Sequence, residues 1–464
     1  MDMLSFQLVR EDERPLYEQL YHQIRQEIIE GRLPYGAKLP SKRKLGQFLS
    51  LSQTTIELAY QQLVAEGYVE SLPRKGFFVM AYEELAYIKK EEGELHTTAE
   101  ETESVAYDFH PSLVDASSFP FSRFRKHAKD IIDDSHQELV SLGHPQGDLV
   151  LREEIATYLY HSRGVICSTE QIIVGSGVEQ LLPLLVLLLK EHRYYGVEDP
   201  GYHSVRSIVE SHGRKTVPIP VDVNGIVVRQ LESSNAELMY VTPAHQFPTG
   251  SILSINRRRQ LLNWAGTDSS RYIIEDDYDS EFRYSGKPIP SLHSMGADKV
   301  IYLSTFSKSL MPSLRIGYMV LPKALLKQYQ QEFSYHTSSV SRIDQHILAR
   351  FMKVDFEKHL NRMRKIYRRK LELLTSLLRP AAPSIAVSGD STGLHVLLTI
   401  ANGMTEEELI ESARRVSIDV YGLSQYSRNT LPDQLPQIVL GFASLSEEEL
   451  SSGIYLLLKA WKLH

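Results

Sequence analysis

The most informative stretch of this chain is Ser304-Thr-Phe-Ser-Lys308-Ser-Leu-Met-Pro-Ser-Leu-Arg315-Ile-Gly-Tyr318. It sets one lysine in a turn rich in hydroxyl groups, with an arginine one to two helical turns downstream. A lysine amine forms an imine with an aldehyde, while hydroxyl and guanidinium groups bind phosphate. We therefore predict a pyridoxal-phosphate site in which Lys308 holds the cofactor and Thr305, Ser307 and Arg315 hold its phosphate.

An acidic strand end lies upstream of this lysine, in the segment Ile273-Ile-Glu-Asp276-Asp277-Tyr278-Asp279. A carboxylate beside the pyridine nitrogen of the cofactor keeps that nitrogen protonated, and the protonated ring then accepts electrons. Asp276, Asp277 and Asp279 are all candidates for this carboxylate, because spacing alone does not separate them.

From about residue 107 onward, short apolar runs alternate with longer helical patterns, which indicates an α/β domain with a largely parallel sheet. The apolar runs are residues 171–174, 193–197, 238–241, 271–274, 300–303 and 316–320. Ligands bind at the carboxyl ends of such strands. Ser176 and Gly177 follow one strand at the start of a buried apolar helix, where backbone amides can approach a phosphate. Tyr202 follows the next and could stack on the cofactor ring, whereas His245, in the loop 242–250, could be only structural.

The composition describes a soluble globular protein of two or three domains, with 464 residues and a net charge of −7. Residues 81–104 hold eight glutamates and two lysines, so most of the excess charge lies there. We predict an acidic linker over residues 81–106, with a solvated helix as the alternative for its first part.

Cys167 is the only cysteine, which excludes an intramolecular disulfide, and we predict no metal site. The chain shows no membrane span or secretory signal, so we expect a cytoplasmic protein.

The first eighty residues predict a winged helix-turn-helix. A first helix opens after Pro15, Ser41 caps a short second helix with Leu45, Phe48 and Leu49 inward, and Ser52 caps a third. Residues 68–79 then form two short strands around a basic tip.

Basic side chains in this domain predict contact with the phosphates of double-stranded DNA. Arg32, Lys38, Lys42, Arg43 and Lys44 form a cluster without acidic residues in the sequence, and Arg74 and Lys75 sit at the wing tip. The polar turn Ser52, Gln53, Thr54 and Thr55 is of the kind that reaches base edges in a major groove. A solvated basic loop is the alternative reading of this cluster.

Three motifs here resemble the GntR-type winged helix: Leu39-Pro-Ser-Lys-Arg43-Lys-Leu45, Ala59-Tyr-Gln-Gln-Leu-Val-Ala-Glu-Gly67 and Arg74-Lys-Gly-Phe-Phe-Val79. Four more resemble fold-type I aminotransferases and, more closely, the MocR/GabR-type regulators, in which such a domain follows a GntR-type winged helix. They are Gly143-His-Pro-Gln-Gly147-Asp-Leu-Val-Leu-Arg152, Pro243-Ala-His-Gln-Phe-Pro-Thr-Gly250, Glu275-Asp-Asp-Tyr-Asp-Ser-Glu-Phe282 and Ser304-Thr-Phe-Ser-Lys308.

The resemblance implies a role for each site residue. Lys308 binds the cofactor as an imine, Asp276 faces the ring nitrogen, Tyr278 bonds the ring hydroxyl, and Tyr202 stacks on the ring. The phosphate is surrounded by Ser176, Gly177, Thr305, Ser307 and Arg315. DNA is contacted by Lys42, Arg43, the turn 52–55, Arg74, Lys75 and Gly76.

One departure concerns the arginine with which aminotransferases usually clamp a substrate carboxylate. The strand 436–442 has none, so Arg428 and Arg206 are the remaining candidates, and for both a plain surface role is at least as good an explanation.

We therefore expect a winged helix-turn-helix at residues 1–80, the linker at 81–106, and a fold-type I aminotransferase-like α/β domain at 107–464. The predicted function is a homodimeric regulator, by family resemblance domain-swapped, that binds an operator and senses an amino compound or pyridoxal 5'-phosphate itself. A working aminotransferase with an accessory DNA-binding domain is the alternative.

Overall fold

The structure is a computed structural model that describes residues 6, 8–9, 14–80, 105–286, 289–428 and 435–463. It divides into two compact units, Met1–Glu101 and Thr102–His464, here called the small and the large unit. The predicted linker falls outside the described residues as far as position 104, so its form stays a prediction. Within the described residues, no helix has both the length and the apolar character needed to cross a membrane.

The small unit is a winged helix-turn-helix, as predicted. Its elements are α1 (Leu16–Ile29), α2 (Lys42–Leu49), α3 (Gln53–Ala65), β1 (Val69–Leu72) and β2 (Gly76–Val79). The Ser41 side chain accepts a hydrogen bond from the Lys44 amide, and the Ser52 side chain accepts one from the Thr55 amide. Both predicted helix caps are therefore confirmed. The strands β1 and β2 pair in antiparallel register and form the wing.

One face of each helix supplies the core of the small unit. The completely buried side chains of α3 are Ile56, Ala59, Tyr60 and Leu63, and all four were predicted. The prediction was wrong for Phe48, whose side chain is 45% exposed. On an α-helix Leu45, Gly46 and Leu49 share one face, and Phe48 lies about 100° from its centre. The short helix therefore turns Phe48 toward solvent.

The large unit contains an eight-stranded sheet in the order β4-β11-β10-β9-β8-β5-β6-β7. Its strands are β4 (Ile172–Gly175), β5 (Tyr194–Asp199), β6 (Lys215–Asp222), β7 (Gly225–Ile226), β8 (Leu238–Val241), β9 (Tyr272–Asp276), β10 (Val300–Thr305) and β11 (Gly317–Val320). Strands β10, β9, β8, β5 and β6 are mutually parallel, whereas β11 runs antiparallel to both of its neighbours. The predicted largely parallel sheet is confirmed.

Register brings distant parts of the sequence to one edge of this sheet. Gly317 of β11 lies opposite both Gly175 and Thr305, the last residues of β4 and β10. Asp276, the last residue of β9, lies opposite Leu303. The carboxyl ends of β4, β9 and β10 therefore meet at the same edge, as expected for a site in a parallel sheet.

Helices cover both faces of the sheet and lead into a second, antiparallel sheet. They are α4 (Phe121–Ile131), α5 (Leu149–Arg163), α6 (Val178–Leu188), α7 (His203–Ser211), α8 (Val228–Glu232), α9 (Ile255–Gly266), α10 (Lys323–Glu332), α11 (Arg342–Val354), α12 (Phe356–Leu378), α13 (Glu406–Arg414) and α14 (Glu447–Ala460). The remaining strands are β3 (Tyr107–Asp108), β12 (Ile385–Ser388), β13 (His395–Ile400), β14 (Ile418–Asp419), β15 (Tyr421–Gly422) and β16 (Gln437–Gly441). The second sheet has the order β12-β13-β16-β15, and β3 pairs with β14.

The apolar helix α6 packs against the main sheet, with seven buried side chains among its eleven residues. The sequence predicts this buried helix, and its first residue directly follows Gly177. Packing on the sheet therefore holds the helix N-terminus at the edge where the strands end.

Burial in the small unit gives a testable prediction. Leu63 is completely buried on α3, whereas Leu58 on the same helix is 44% exposed. Leu63→Ala should lower the free energy of unfolding of the small unit by roughly 2–5 kcal/mol. Leu58→Ala should change it by about 0.5 kcal/mol or less.

Hydrogen exchange of the α1–α3 amides measures this stability in the full chain. Both tryptophans, Trp264 and Trp461, belong to the large unit, so their fluorescence follows that unit separately. Equal loss of protection in the two variants would contradict the assigned core.

Candidate functional site

A cavity of about 180 Å³ opens at the edge where the parallel strands end. Its wall contains eight of the nine predicted cofactor residues: Lys308, Asp276, Tyr278, Tyr202, Gly177, Thr305, Ser307 and Arg315. They come from the ends of β9 and β10, the start of α6, the residue before α7 and the turn before β11. Sheet register therefore assembles residues that are far apart in the sequence.

The amine of Lys308 lies in this cavity close to the main chain of another segment. Its Nζ donates a hydrogen bond to the carbonyl oxygen of Pro111 at 2.7 Å. Burial lowers the pKa of Lys308 to about 8, and the opposing effect of Asp279 is smaller. A lowered pKa increases the fraction of neutral amine, which is the form that attacks an aldehyde.

Asp276 presents a carboxyl oxygen that the described protein leaves unpaired. Its Oδ2 accepts a hydrogen bond from the Tyr240 hydroxyl, while Oδ1 is buried and has no hydrogen-bond partner among the described residues. Burial raises the pKa of Asp276 to about 7. A buried oxygen of this kind is costly unless a donor meets it. The protonated ring nitrogen of pyridoxal phosphate is such a donor, so the residues present fit the cofactor.

The structure separates the three aspartates that spacing left equivalent. Asp277 accepts hydrogen bonds from Arg163, at 2.6 Å, and from the Tyr302 hydroxyl, at 2.5 Å. Asp279 lies 2.7 Å from Nδ1 of His245. In the described part of the chain, only Asp276 of the three lines the cavity.

Two tyrosines line the cavity beside Asp276. The Tyr278 hydroxyl lies 3.1 Å from Nδ1 of His245. The Tyr202 ring packs edge-on against Phe247, with ring centroids 5.7 Å apart. Both tyrosines line the same cavity as Lys308 and Asp276.

The remaining residues give the cavity wall groups suited to an anion. Gly177 has a φ of +115°, and a side chain there would approach the Arg315 guanidinium to 2.9 Å. The α6 N-terminus therefore lies close to Arg315, and together they favour phosphate. Arg315 donates a hydrogen bond at 2.7 Å to Glu179, and both side chains are about half exposed. A bound phosphate has to compete with that carboxylate.

Three other predicted residues lie off this cavity. The amide of Ser176 donates to the Ser339 hydroxyl at 3.1 Å, and within the described residues Ser176 does not line the wall. It directly precedes the Gly177 turn, and its contact with a phosphate stays a prediction. Arg206 and Arg428 line a neighbouring pocket that shares Tyr202 and Thr242 with the cavity. Arg428 lies 4.0 Å from Glu210 and is half exposed.

Several wall residues were not predicted. Three of them lie within or beside recognised motifs, so sequence reasoning could have placed them at the site: Glu179, Thr242 and Phe247. Pro111 and Ser112 come from a segment nearly two hundred positions before Lys308, and no pattern in the sequence marks them. Tyr240, which bonds Asp276, was equally unmarked because it reads as an ordinary strand residue.

The small unit presents an exposed basic surface around α2 and the wing. Arg43, Lys44, Arg74 and Lys75 are exposed, and none of them has an ion-pair partner in the residues that the structure describes. Gln53 and Thr54 are also exposed at the start of α3.

Some of the predicted DNA contacts are already engaged within the protein. The Ser52 and Thr55 hydroxyls bond each other at 2.8 Å, Lys42 pairs with Glu57 at 2.5 Å, and Gly76 lies at the turn of the wing. Lys42, Ser52 and Thr55 each keep further hydrogen-bonding capacity, so they can contact DNA beside these partners.

The sequence suggested a basic cluster without acidic neighbours, but the fold places carboxylates beside it. Arg32 pairs with Glu27 and Glu30, which lie at the C-terminal end of α1 and just beyond it. The chain turns back after α1 and brings Arg32 against these carboxylates, which spacing alone did not show.

Comparison with known proteins agrees with both units. Residues 16–79 match the family described as bacterial regulatory proteins, gntR family, and residues 112–422 match aminotransferase class I and II. An uncharacterized HTH-type transcriptional regulator of Bacillus subtilis, YdeL, is 43% identical over 100% of both chains. The probable rhizopine catabolism regulatory protein MocR of Rhizobium meliloti is 30% identical over 98% of this chain and 95% of its own.

A solved structure shows the same fold as the large unit. It is α-aminoadipate aminotransferase from Thermus thermophilus in complex with N-(5'-phosphopyridoxyl)-L-leucine, with a TM-score of 0.66 and 23% identity. The match covers 76% of this chain and 92% of that one. The two family matches and the relatives above show that the chain belongs to the MocR-type transcriptional regulators, which join a gntR-family winged helix to an aminotransferase class I and II domain.

Proposed function

We propose that this regulator binds pyridoxal 5'-phosphate in the cavity of its large unit and binds an operator through its small unit. The observation that carries the proposal is the unpaired, buried Oδ1 of Asp276 on the same wall as Lys308. Support also comes from the aminotransferase of like fold, whose structure contains a phosphopyridoxyl group.

Each wall residue then has a defined task. Lys308 holds the cofactor aldehyde, Asp276 accepts from the ring nitrogen, and Tyr202 covers the ring face. Gly177, Thr305, Ser307 and Arg315 surround the phosphate. The bound cofactor supplies an aldehyde carbon that can pass between Lys308 and other amines.

We propose that the signal is an amino compound that displaces Lys308 from the cofactor. The freed amine has an acceptor at hand, because the Pro111 carbonyl lies 2.7 Å from Nζ in this structure. Pro111 belongs to the first described segment after the linker, so this bond touches the part of the chain that leads to the DNA-binding unit. The ligand shifts DNA binding only if it favours one of two arrangements over the other.

Arg206 and Arg428 are our candidates for a carboxylate on the amino compound. Both line the pocket beyond Tyr202, and the last strand, β16 (Gln437–Gly441), contains no arginine. This pocket adjoins the cavity through Tyr202 and Thr242, so a ligand bearing both amine and carboxylate can span the two.

We also propose a cytoplasmic homodimer, in which the small unit of one chain packs on the large unit of the other. Operators with paired half-sites require two DNA-binding units, and pockets of fold-type I proteins commonly form at a subunit boundary.

A second function, amino-group transfer, is favoured by one observation. The set of Lys308, Asp276 and Tyr278 is complete, and the lowered pKa of Lys308 suits a catalytic amine. Regulation is the better reading, because relatives that match the whole chain are described as transcriptional regulators.

The cofactor assignment predicts the behaviour of Lys308→Ala. The parent protein should show a visible absorbance band with pyridoxal phosphate, and borohydride should fix the cofactor on the Lys308 peptide. Lys308→Ala should lose the band and the labelled peptide. Lys327→Ala, on the exposed part of α10, serves as the control and should retain both. Labelling of a different peptide, or an unchanged spectrum in Lys308→Ala, would contradict the assignment of Lys308 as the lysine that holds the cofactor.

The same variant separates the two functions. Amino acids and ω-amino acids are screened for a change in the visible band, and operator affinity is then measured with and without each hit. The parent should respond to a hit, whereas Lys308→Ala should bind DNA normally and ignore it. Spectral hits that never alter DNA affinity, together with steady amino-group transfer, would establish the enzyme instead.

The DNA surface predicts the effect of Arg43→Ala with Arg74→Ala. If both side chains contact phosphates, the slope of log affinity against log salt should fall by about 1.8, since each contact contributes about 0.9. The visible band should not change. Arg414→Ala with Arg415→Ala removes the same charge from the large unit and should leave the slope unaltered. Equal operator affinity of the Arg43/Arg74 variant and the parent at moderate salt would refute the assignment.

A further inference from the structure

A buried pair, Asp279 and His245, stands directly behind Tyr278 at the cavity wall. Oδ2 of Asp279 lies 2.7 Å from Nδ1 of His245, and their side chains are 2% and 0% exposed. The Tyr278 hydroxyl lies 3.1 Å from the same Nδ1. One ring nitrogen therefore meets both a carboxylate and a phenol.

The carboxylate decides the direction of these hydrogen bonds. An ionised carboxylate only accepts, so Nδ1 of His245 must carry a proton to bond Asp279. A protonated Nδ1 cannot accept a hydrogen bond from Tyr278. The Tyr278 oxygen can accept a hydrogen bond from the same Nδ1–H. The hydrogen of the Tyr278 hydroxyl then points away from His245. The cavity is the open direction, because Tyr278 lines it.

The other ring nitrogen agrees with this assignment. Nε2 of His245 is buried and lacks a hydrogen-bond partner among the residues described. A proton at that position would be a buried donor without an acceptor, which is unfavourable. The ring is therefore neutral, with its single proton on the nitrogen that faces Asp279.

Packing holds the imidazole in this orientation. Gly393 has a φ of +78°, and a side chain at that position would overlap His245 and approach Oδ2 of Asp279 to 2.6 Å. On another side the ring of His395 lies 4.7 Å from the ring of His245. Asp279, His245 and His395 have nitrogen or oxygen atoms within 4.8 Å of one another, but Nε2 of His395 bonds the Pro248 carbonyl.

We propose that Asp279, acting through His245, turns the Tyr278 hydroxyl proton into the cavity, where it is donated to an anionic oxygen of the bound ligand. Asp279 and His245 are thus positioning residues, and Tyr278 is the group that contacts the ligand. The inference rests on the proposed function, since the acceptor is then the ring oxygen of pyridoxal phosphate.

Asp279→Asn tests the direction of the hydrogen bonds. The Asn amide carries no negative charge to hold the proton on Nδ1 of His245. With the imidazole proton on Nε2, Nδ1 accepts a hydrogen bond from the Tyr278 hydroxyl, which then no longer points into the cavity. The cofactor oxygen then loses a donor that stabilises its negative charge. The visible band of the cofactor-loaded protein titrates with pH, and the lost donor should raise its midpoint by about one unit, a tenfold change in the equilibrium.

A double-mutant cycle distinguishes this role from a merely structural one. Tyr278→Phe alone should raise the midpoint in the same direction, and Asp279→Asn should add nothing in the Tyr278→Phe background. Asp276, Lys308 and His395 also face this region, and each is unchanged in all four proteins, so their titration cancels from the comparison.

Three outcomes would overturn the proposal. The first is an unchanged midpoint in Asp279→Asn together with a lower melting temperature and a lower cofactor affinity. The second is a shift of the midpoint that persists undiminished in the Tyr278→Phe background. The third is a midpoint that moves downward. If Asp279→Asn does not fold, His245→Gln, which also breaks the link, should raise the midpoint instead, and an unmoved midpoint there contradicts the proposal equally. A parent protein without any visible band would instead refute the cofactor assignment.

Discussion

Burial of acidic groups at the carboxyl edge of the main sheet is the constraint on which the site depends. Glu275, Asp276, Asp277 and Asp279 are all at most 4% exposed, within five consecutive positions. A buried carboxylate is unfavourable unless donors meet it. Two backbone amides bond the two oxygens of Glu275, Arg163 and Tyr302 both bond Oδ2 of Asp277, and His245 bonds Oδ2 of Asp279. Oδ1 of Asp276 and Oδ1 of Asp277 are both buried without a hydrogen-bond partner among the described residues. Of the two, Asp276 lines the cavity, so its oxygen is the acceptor that a ligand can use.

The hydrogen-bond partners of these buried carboxylates determine which polar groups remain available to a ligand in the cavity. The cavity wall contains both the residue with the unpaired oxygen, Asp276, and the α6 N-terminus with Arg315. A ligand that carries both a donor and an anionic group, as pyridoxal phosphate does, can engage both. Lys308 lies on the same wall, with the Pro111 carbonyl as its partner when the amine is free.

Much of this arrangement could be predicted from sequence, because strand ends and helix starts have local signals. The apolar runs predicted every strand of the main sheet except β6 and β7 to within a few residues. The hydroxyl-rich turn predicted Lys308 as the cofactor lysine. Contacts between distant segments were not predictable. Pro111 beside Lys308, Tyr240 on Asp276 and Glu179 on Arg315 depend on register and side-chain direction. The two errors in the small unit have local causes. The short helix α2 turns Phe48 toward solvent, and a chain reversal places Arg32 beside Glu27 and Glu30.

The protonation state of the cofactor ring tests the account most directly. Pyridoxal phosphate labelled with nitrogen-15 in its ring is bound to the protein, and the chemical shift of that nitrogen is recorded by nuclear magnetic resonance. If the free oxygen of Asp276 is matched to the ring, the shift should be that of a protonated pyridine in the parent protein. It should move to that of an unprotonated pyridine in Asp276→Asn. An unprotonated ring in the parent protein would contradict the account.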